Sequence, residues 1–363
     1  FGSSFDVCRR ALRLEMQPPS DQWRSTVPTD EAVQSTHVDA ALAKISCARL
    51  GYFEDPWTEM LLRNTRPYPR SPLIHRGYYS RVAAMRQAVT RFLELCPRGP
   101  VQIVNLGCGF DTIYFWLRDN PARWRDELVY FDVDFPEILS RKLSAITKRQ
   151  NLWPLLDAEK KEDFVSAEMG TFGTHELRTR HCRFVSVDMR FQSELESAMA
   201  RADFQSNVPT LFLSECVLVY MQATHGDAII KWAANAVQDA PSAMVVYEQT
   251  NPSDRFGKVM VENLMQRGCP LLSIFDYPSL DAQQNRYMAN GWEHFVIRDM
   301  KEMYDRHLDQ DDIARVHKLE FLDELEEWNL IQQHYFVLIA TRAPPQQEWV
   351  NGLLETTSTE AAS

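Results

Sequence analysis

The stretch Val101-Gln102-Ile103-Val104-Asn105-Leu106-Gly107-Cys108-Gly109-Phe110-Asp111 decides the fold. Its first six residues read as a buried strand and the next three as a glycine turn. A helix follows, with apolar residues at Ile113, Phe115, Trp116 and Leu117. Strand, Gly-x-Gly turn and helix form a unit in which a cofactor can rest on bare backbone, because glycine carries no side chain to hold it off. About 20 residues on, Tyr130-Phe131-Asp132-Val133-Asp134 reads as a second strand ending in carboxylates, where a ribose-binding acid belongs. Thr112 stands where a dinucleotide fingerprint has its third glycine, and Cys108 and Phe110 make the turn bulkier than a phosphate cradle. No Gly-x-x-x-x-Gly-Lys-Ser/Thr run occurs. The pattern points to a nucleoside cofactor without phosphates, S-adenosylmethionine. The alternative is an α/β domain whose glycines serve only a tight turn.

Outward from this unit, strand-like runs fall at 101–106, 127–133, 182–187, 209–214, 243–248, 293–298 and 334–341. Helix-like runs separate them at about 112–119, 135–149, 191–201, 223–238, 254–267, 279–289 and 310–328. Such alternation predicts an α/β fold, a doubly wound and mostly parallel sheet with helices on both faces. Seven strands, the last two late and widely spaced, suit the seven-stranded, Rossmann-like methyltransferase sheet with added helices at the N-terminus and between the late strands. Four regions are expected: a polar, partly disordered segment at 1–38; a helical lid or substrate region at 39–100; the methyltransferase core at 101–342, with a helical insertion near 300–330; and a disordered tail at 343–363. In open sheets of this kind the ligand lies beyond the carboxyl ends of the strands. Gly107, Gly109, Asp134, Asp188, Glu215 and Glu248 end the strands and are therefore the candidate ligand groups.

Composition narrows the classes. The net charge of −11 argues against a general nucleic-acid surface. No run of 18 apolar residues exists to form a membrane span. Seven scattered cysteines without a Cys-x-x-Cys pair read as reduced residues of a cytoplasmic protein, not as a disulfide frame. The nine histidines show no metal spacing. Charge is uneven along the chain. Eight arginines between 61 and 100 meet a single acid, Glu94, whereas 301–330 is strongly acidic and reads as a solvated helix face.

Several blocks resemble one family. Asn105-Leu106-Gly107-Cys108-Gly109-Phe110-Asp111-Thr112 and Phe131-Asp132-Val133-Asp134-Phe135-Pro136 are two of them. Ser214-Glu215-Cys216-Val217-Leu218-Val219-Tyr220-Met221 is a third, and Tyr247-Glu248-Gln249, Asp254-Arg255-Phe256-Gly257 and Asn290-Gly291-Trp292-Glu293 follow in order. Together, from about Asp39 to Arg342, they resemble the leucine carboxyl methyltransferase family. The resemblance implies methyl transfer from S-adenosylmethionine to the α-carboxylate of the C-terminal leucine of the protein phosphatase 2A catalytic subunit. The product would be a methyl ester that regulates phosphatase holoenzyme assembly. It further implies that Lys44 and Arg81 reach the cofactor and substrate carboxylates, and that Gly107 and Gly109 lie in the turn under the methionyl part. Asp134 would hold the ribose, Asp188 and Met189 would flank the adenine, and Glu215 would face the cofactor amine. Arg81, Lys44 and Tyr220 are the expected catalytic-side residues, with Tyr220 stacking on the ligand or packing. Asp111 reads as a helix cap. The rival readings are a small-molecule carboxyl or hydroxyl O-methyltransferase, a tRNA-modifying relative carrying a repeat domain, and a non-catalytic cofactor-binding module.

Overall fold

β1 (Val101–Leu106) is buried at all six positions, as a central strand covered on both faces must be. The computed structural model describes residues 30–62, 70–120, 123–169, 175–342 and 347–354. β1 pairs in parallel with β2 (Leu128–Asp134) on one side. A small antiparallel pair, β3 (Val165–Met169) and β4 (His175–Leu177), precedes β5 (Cys182–Ser186), which pairs with β2. The chain then crosses back to the other side of β1 with β6 (Thr210–Glu215) and β7 (Ser242–Gln249). β8 (His294–Asp299) forms the edge, and β9 (Tyr335–Arg342) inserts between β7 and β8, antiparallel to both. The sheet order is β5-β2-β1-β6-β7-β9-β8. The direction of winding reverses between β1 and β6, which is where an α/β sheet opens its ligand crevice.

Alternation along each strand feeds two apolar layers. Ile103, Leu211, Val245 and Ile339 enter one, together with the N-terminal helices. Val104, Phe212, Met244 and Leu338 enter the other. All seven strands of the main sheet lie within a residue or two of the runs read from sequence.

The region boundaries need three corrections. First, α1 (Asp30–Arg49) is one helix of 20 residues, so 30–38 belong to the helical region. Asp30 accepts a paired hydrogen bond from Arg190, at 2.9 Å to each oxygen, which ties the start of the helix to the end of the sheet. Residues 1–29 lie outside the described residues. α2 (Pro56–Leu61), capped by Asp55, and α3 (Pro72–Leu95) complete the helical cover over the strand ends. Second, the run at 310–328 is not one helix. After α4 (Ile113–Asp119), α5 (Pro136–Thr147), α6 (Gln192–Arg201), α7 (Ala223–Ala236), α8 (Arg255–Gln266) and α9 (Leu280–Ala289), the insertion holds α10 (Gln310–Val316) and α11 (Leu325–Gln333). An extended link separates them because Leu322 is buried and the Glu320 carboxylate is drawn to Tyr52 and His75. Third, part of the tail, residues 347–354, is packed on the fold. α12 (Gln347–Gly352) and the residues after it bury Val350, Leu353 and Leu354, and Gln87 and Arg91 of α3 donate to the carbonyls of Leu354 and Gly352. Residues 343–346 and 355–363 lie outside the described residues. Within 151–180, Arg118 is fully buried and donates to the carbonyls of Leu155 and Arg125 and to Asp157, which anchors the turns after α5.

Candidate functional site

The glycine turn sits at the switch point. Gly107 has φ +68° and Gly109 φ +49°, conformations that disfavour a side chain. A Cβ at Gly107 would lie 2.5 Å from Cγ2 of Val217, and one at Gly109 would lie 2.9 Å from Cβ of His37. The Gly107 N–H donates to Val133 O at 2.8 Å, which fixes the turn against the end of β2. The result is a backbone ledge closed in by Val217 and His37 on the sides where Cβ atoms would stand.

Asp134 closes one end of that ledge. Its carboxylate accepts from Gly109 N and Phe135 N, both at 2.7 Å. Burial pushes the acid up to about 6, against the pull of those two N–H groups. The neighbouring Asp132 is different: it pairs with buried Lys142 at 2.7 Å and serves the core. Strand position alone does not separate these two acids; the lysine on α5 does.

Asp188 lies at the cleft mouth after β5, but its carboxylate is engaged by Arg190 through Nε and Nη2. Arg190 also lies over the Phe135 ring, 5.5 Å from its centroid, and bonds Asp30. Met189 is buried in the apolar layer with Val133 and Val187. The pair expected beside an adenine is thus one apolar wall and one carboxylate that already has a cation.

The other end of the ledge is an ion network. Glu215 ends β6 and accepts from Arg81 Nε, and Lys44 Nζ stands 3.4 Å away. Lys44 Nζ also donates to Asp111 Oδ2 at 3.2 Å. All four side chains are at most 14% exposed. Burial alone would raise the Glu215 acid; Arg81 and Lys44 overcome it and hold it down to about 2. Burial likewise opposes the charge on Lys44, and Glu215 and Asp111 restore it. Two cations and two anions make a set with no net charge. Such a set can exchange partners with a zwitterion, carboxylate to the cations and ammonium to the anions, without burying an unpaired charge. The charges of an amino-acid moiety like that of S-adenosylmethionine therefore match those at this end. The N-cap of α4 is Thr112, not Asp111; Asp111 stands one residue before it and accepts from Ile113 N at 2.8 Å through Oδ1, while Oδ2 belongs to the network, which spacing did not reveal.

Around Arg81 stand three tyrosines that the sequence reading left without a role. The guanidinium lies 5.0 Å from the Tyr247 ring centroid and 5.5 Å from that of Tyr78. Tyr335 stacks on Tyr247 at 5.3 Å. Tyr247 falls within a block already singled out and Tyr78 lies three residues before Arg81 on α3, but Tyr335 arrives only because β9 inserts beside β7.

Two candidates take other roles. Tyr220 is buried in a cluster with Val219, Val261, Leu271 and Ile274, beside the ion network but not bonded into it. Cys216, at φ +58°, turns the chain sharply after Glu215, and the turn Leu218–Tyr220 then directs Tyr220 toward α8. Glu248 is 1% exposed and accepts from Val217 N and Val219 N at 3.2 and 3.0 Å. It holds that turn in place and is not open to a ligand.

Among the described residues no group of three His, Cys, Asp or Glu side chains could hold a metal ion, and no helix is long and apolar enough to cross a membrane.

Comparison with known proteins supplies a family. The leucine carboxyl methyltransferase family model matches residues 32–234. The chain is 36% identical over 309 residues to the leucine carboxyl methyltransferase 1 homolog of Arabidopsis thaliana, covering 85% of this chain and 89% of that one. It is 36% identical to leucine carboxyl methyltransferase 1 of Bos taurus over 314 residues, 86% of this chain and 90% of that one. It is also 36% identical to the tRNA wybutosine-synthesizing protein 4 of Homo sapiens, but covers only 44% of that longer chain.

Proposed function

The chain belongs to the leucine carboxyl methyltransferase family, and we propose that its acceptor is the C-terminal leucine carboxylate of the protein phosphatase 2A catalytic subunit. The chain is a carboxyl methyltransferase, and S-adenosylmethionine is its methyl donor. The observation that carries the reading is the neutral four-ion network at the methionyl end of the glycine ledge. Gly107 and Gly109 would lie under the donor, Asp134 would accept from its ribose, and Glu215 would face its amine. Lys44 and Arg81 would between them reach the donor's carboxylate and the acceptor's.

Bound here, S-adenosylmethionine supplies an electrophilic methyl group on a sulfonium. A chain-terminal carboxyl with an ordinary pKa of about 3.3–3.7 is already ionised at neutral pH, so no side chain need act as a base. The residues contribute placement and exclusion of water, and holding two reactants in register is worth roughly 7–11 kcal/mol of barrier. The bond to Glu215 uses Arg81 Nε, so the two Nη groups are the part of the fork that meets an acceptor carboxylate. Tyr78, Tyr247 and Tyr335 wall that approach. Too firm a grip by the cation would stabilise the ground-state anion, whose charge is lost in the transition state. Glu215 tempers that grip. We further propose, from the seven scattered cysteines of the sequence, that the protein works in a reducing compartment, the cytoplasm.

The test is incubation with labelled S-adenosylmethionine and the phosphatase catalytic subunit, with and without its final leucine, followed by mild alkali. Label should enter only the leucine-ended subunit and leave in alkali, as an ester must. Alkali-stable label, or equal labelling without the leucine, would overturn the proposal.

A further inference from the structure

The most exposed large apolar side chain among the described residues is Phe321, at 83%, with Leu325 at 56% four residues further along the chain, at the start of α11. An aromatic ring left in water is unfavourable, and when rigidly held it marks a contact surface. Phe321 is held on both sides. Before it, Glu320 accepts from Tyr52 OH at 2.9 Å, bonds His75 Nδ1 at 2.6 Å, and its carbonyl accepts from Arg76 at 3.4 Å. After it, Leu322 is buried. His75 is itself fixed by Ser46 of α1 at 2.8 Å.

These anchors tie the ring to the start of α3, the helix that carries Arg81. Arg76 and Arg81 are five residues apart, about 7.5 Å along a helix axis. Acids predominate on the side that follows the ring: between 319 and 333 there are five acids and no lysine, arginine or histidine, and Asp323 and Glu326 are exposed, while Lys318 is an exposed cation three residues before it.

We infer that Phe321 and Leu325 form a docking knob for the folded body of the acceptor protein, seating in an apolar recess rimmed by lysine or arginine. This rests on the reading that the acceptor is a protein C-terminus. A fixed aromatic anchor loses little freedom on binding and suits the centre of an interface, and the acids select a basic rim by charge complementarity. An anionic membrane surface would be repelled by the same acids. The knob supplies what the ion network cannot, a means of telling one leucine-ended protein from another.

The experiment compares two acceptors with the same C-terminal sequence: the folded phosphatase subunit and a short peptide of its tail. Phe321→Ala and Leu325→Ala should each raise KM for the folded acceptor, the Phe321 change by about tenfold or more, with kcat at saturation retained. KM for the peptide should stay unchanged. In the Asp323→Asn/Glu326→Gln double variant, the dependence of folded-acceptor KM on salt should flatten. Unchanged KM for the folded acceptor, an equal loss on the peptide, or a lowered Tm in Phe321→Ala would overturn the inference, the last by showing an internal contact. If the unaltered enzyme modifies neither acceptor, the parent reading fails and this one falls with it.

Discussion

The two ends of the glycine ledge each hold a buried carboxylate, and their acidities are shifted in opposite directions. Asp134 has only backbone N–H partners, and burial pushes it up to about 6. Glu215 has Arg81 and Lys44, and they hold it down to about 2 in spite of burial. The first end is made locally: Asp134 and Gly109 are 25 residues apart. The second is assembled over distance, with Arg81 and Glu215 134 residues apart. The Asp134 end is thus a titratable, backbone-built acceptor, and the Glu215 end is a locked ion set that exists only when the helices are docked on the sheet.

The sharpest way to break this contrast is Glu215→Ala. It strands the buried Arg81 guanidinium, leaves Lys44 to Asp111 alone, and should cost about 3–5 kcal/mol of stability, with methyl transfer falling to background. Urea unfolding and the labelled assay read both. In the unaltered protein the Glu215 contribution should be fully present above the usual carboxylate range and lost as pH falls through about 2. Stability of Glu215→Ala within error of the unaltered protein would dissolve the idea of a locked set.

Gly107→Ala comes next. A Cβ at φ +68° and 2.5 Å from Val217 should cost about 2–4 kcal/mol. Adding Val217→Ala removes the overlap but not the dihedral strain, so it should recover only part of the loss. Full recovery would mean that the left-handed backbone carries no cost.

Asp134→Asn should weaken S-adenosylmethionine binding by about 1.5–3 kcal/mol, ten- to a hundredfold in Kd. Because the Asp134 acid is raised, affinity in the unaltered protein should fall as pH drops through about 6, and the variant should lose that dependence. The sign for ligand-free stability is the reverse: protonation relieves a buried charge, so the Asp134 contribution rises as pH falls through about 6. Calorimetric titration across this window checks the affinity. A flat affinity profile in the unaltered protein would remove Asp134 from the site.

The smallest effect is expected for Arg91→Ala. Arg91 shares α3 with Arg81 but bonds Glu94 at 2.8 Å and the Gly352 carbonyl at 3.0 Å. Its loss should cost about 1 kcal/mol and leave turnover intact, whereas Arg81→Ala should abolish it. Equal activity of the two variants would show that the position of the charge on α3 is irrelevant.

What could be read before the fold was known follows the same division. The strands were legible because a doubly covered strand is a continuous apolar run, and their ends named Gly107, Asp134 and Glu215 directly. Lys44 and Arg81 came from resemblance, since an isolated lysine and one arginine among eight carry no positional signal of their own. The start of α1 at Asp30 was missed because its first turns are polar and are held by Arg190 from the far side of the cleft. The break at 317–324 was missed because the partners of Glu320 lie some 245–268 residues away. Tyr335, Asp111 and the true role of Glu248 share that cause: each is defined by a neighbour that only the completed topology supplies.

The insertion of β9 between β7 and β8 has a consequence for the protein on the ribosome. Tyr247 gains Tyr335 only when Gln249 and Tyr335 come into register, and the ladder is complete only at Ser242 and Arg342. About ninety residues separate Gln249 from Arg342. At about 5–20 residues per second, the chain has its glycine turn and β7 made and β9 still to come for roughly 5–20 seconds. During that interval every residue we propose to seat the donor has been made, and Tyr335 of the proposed acceptor wall has not. A chain halted before β9 would therefore carry the proposed donor-binding residues and lack one ring of the wall proposed to shape what receives the methyl group.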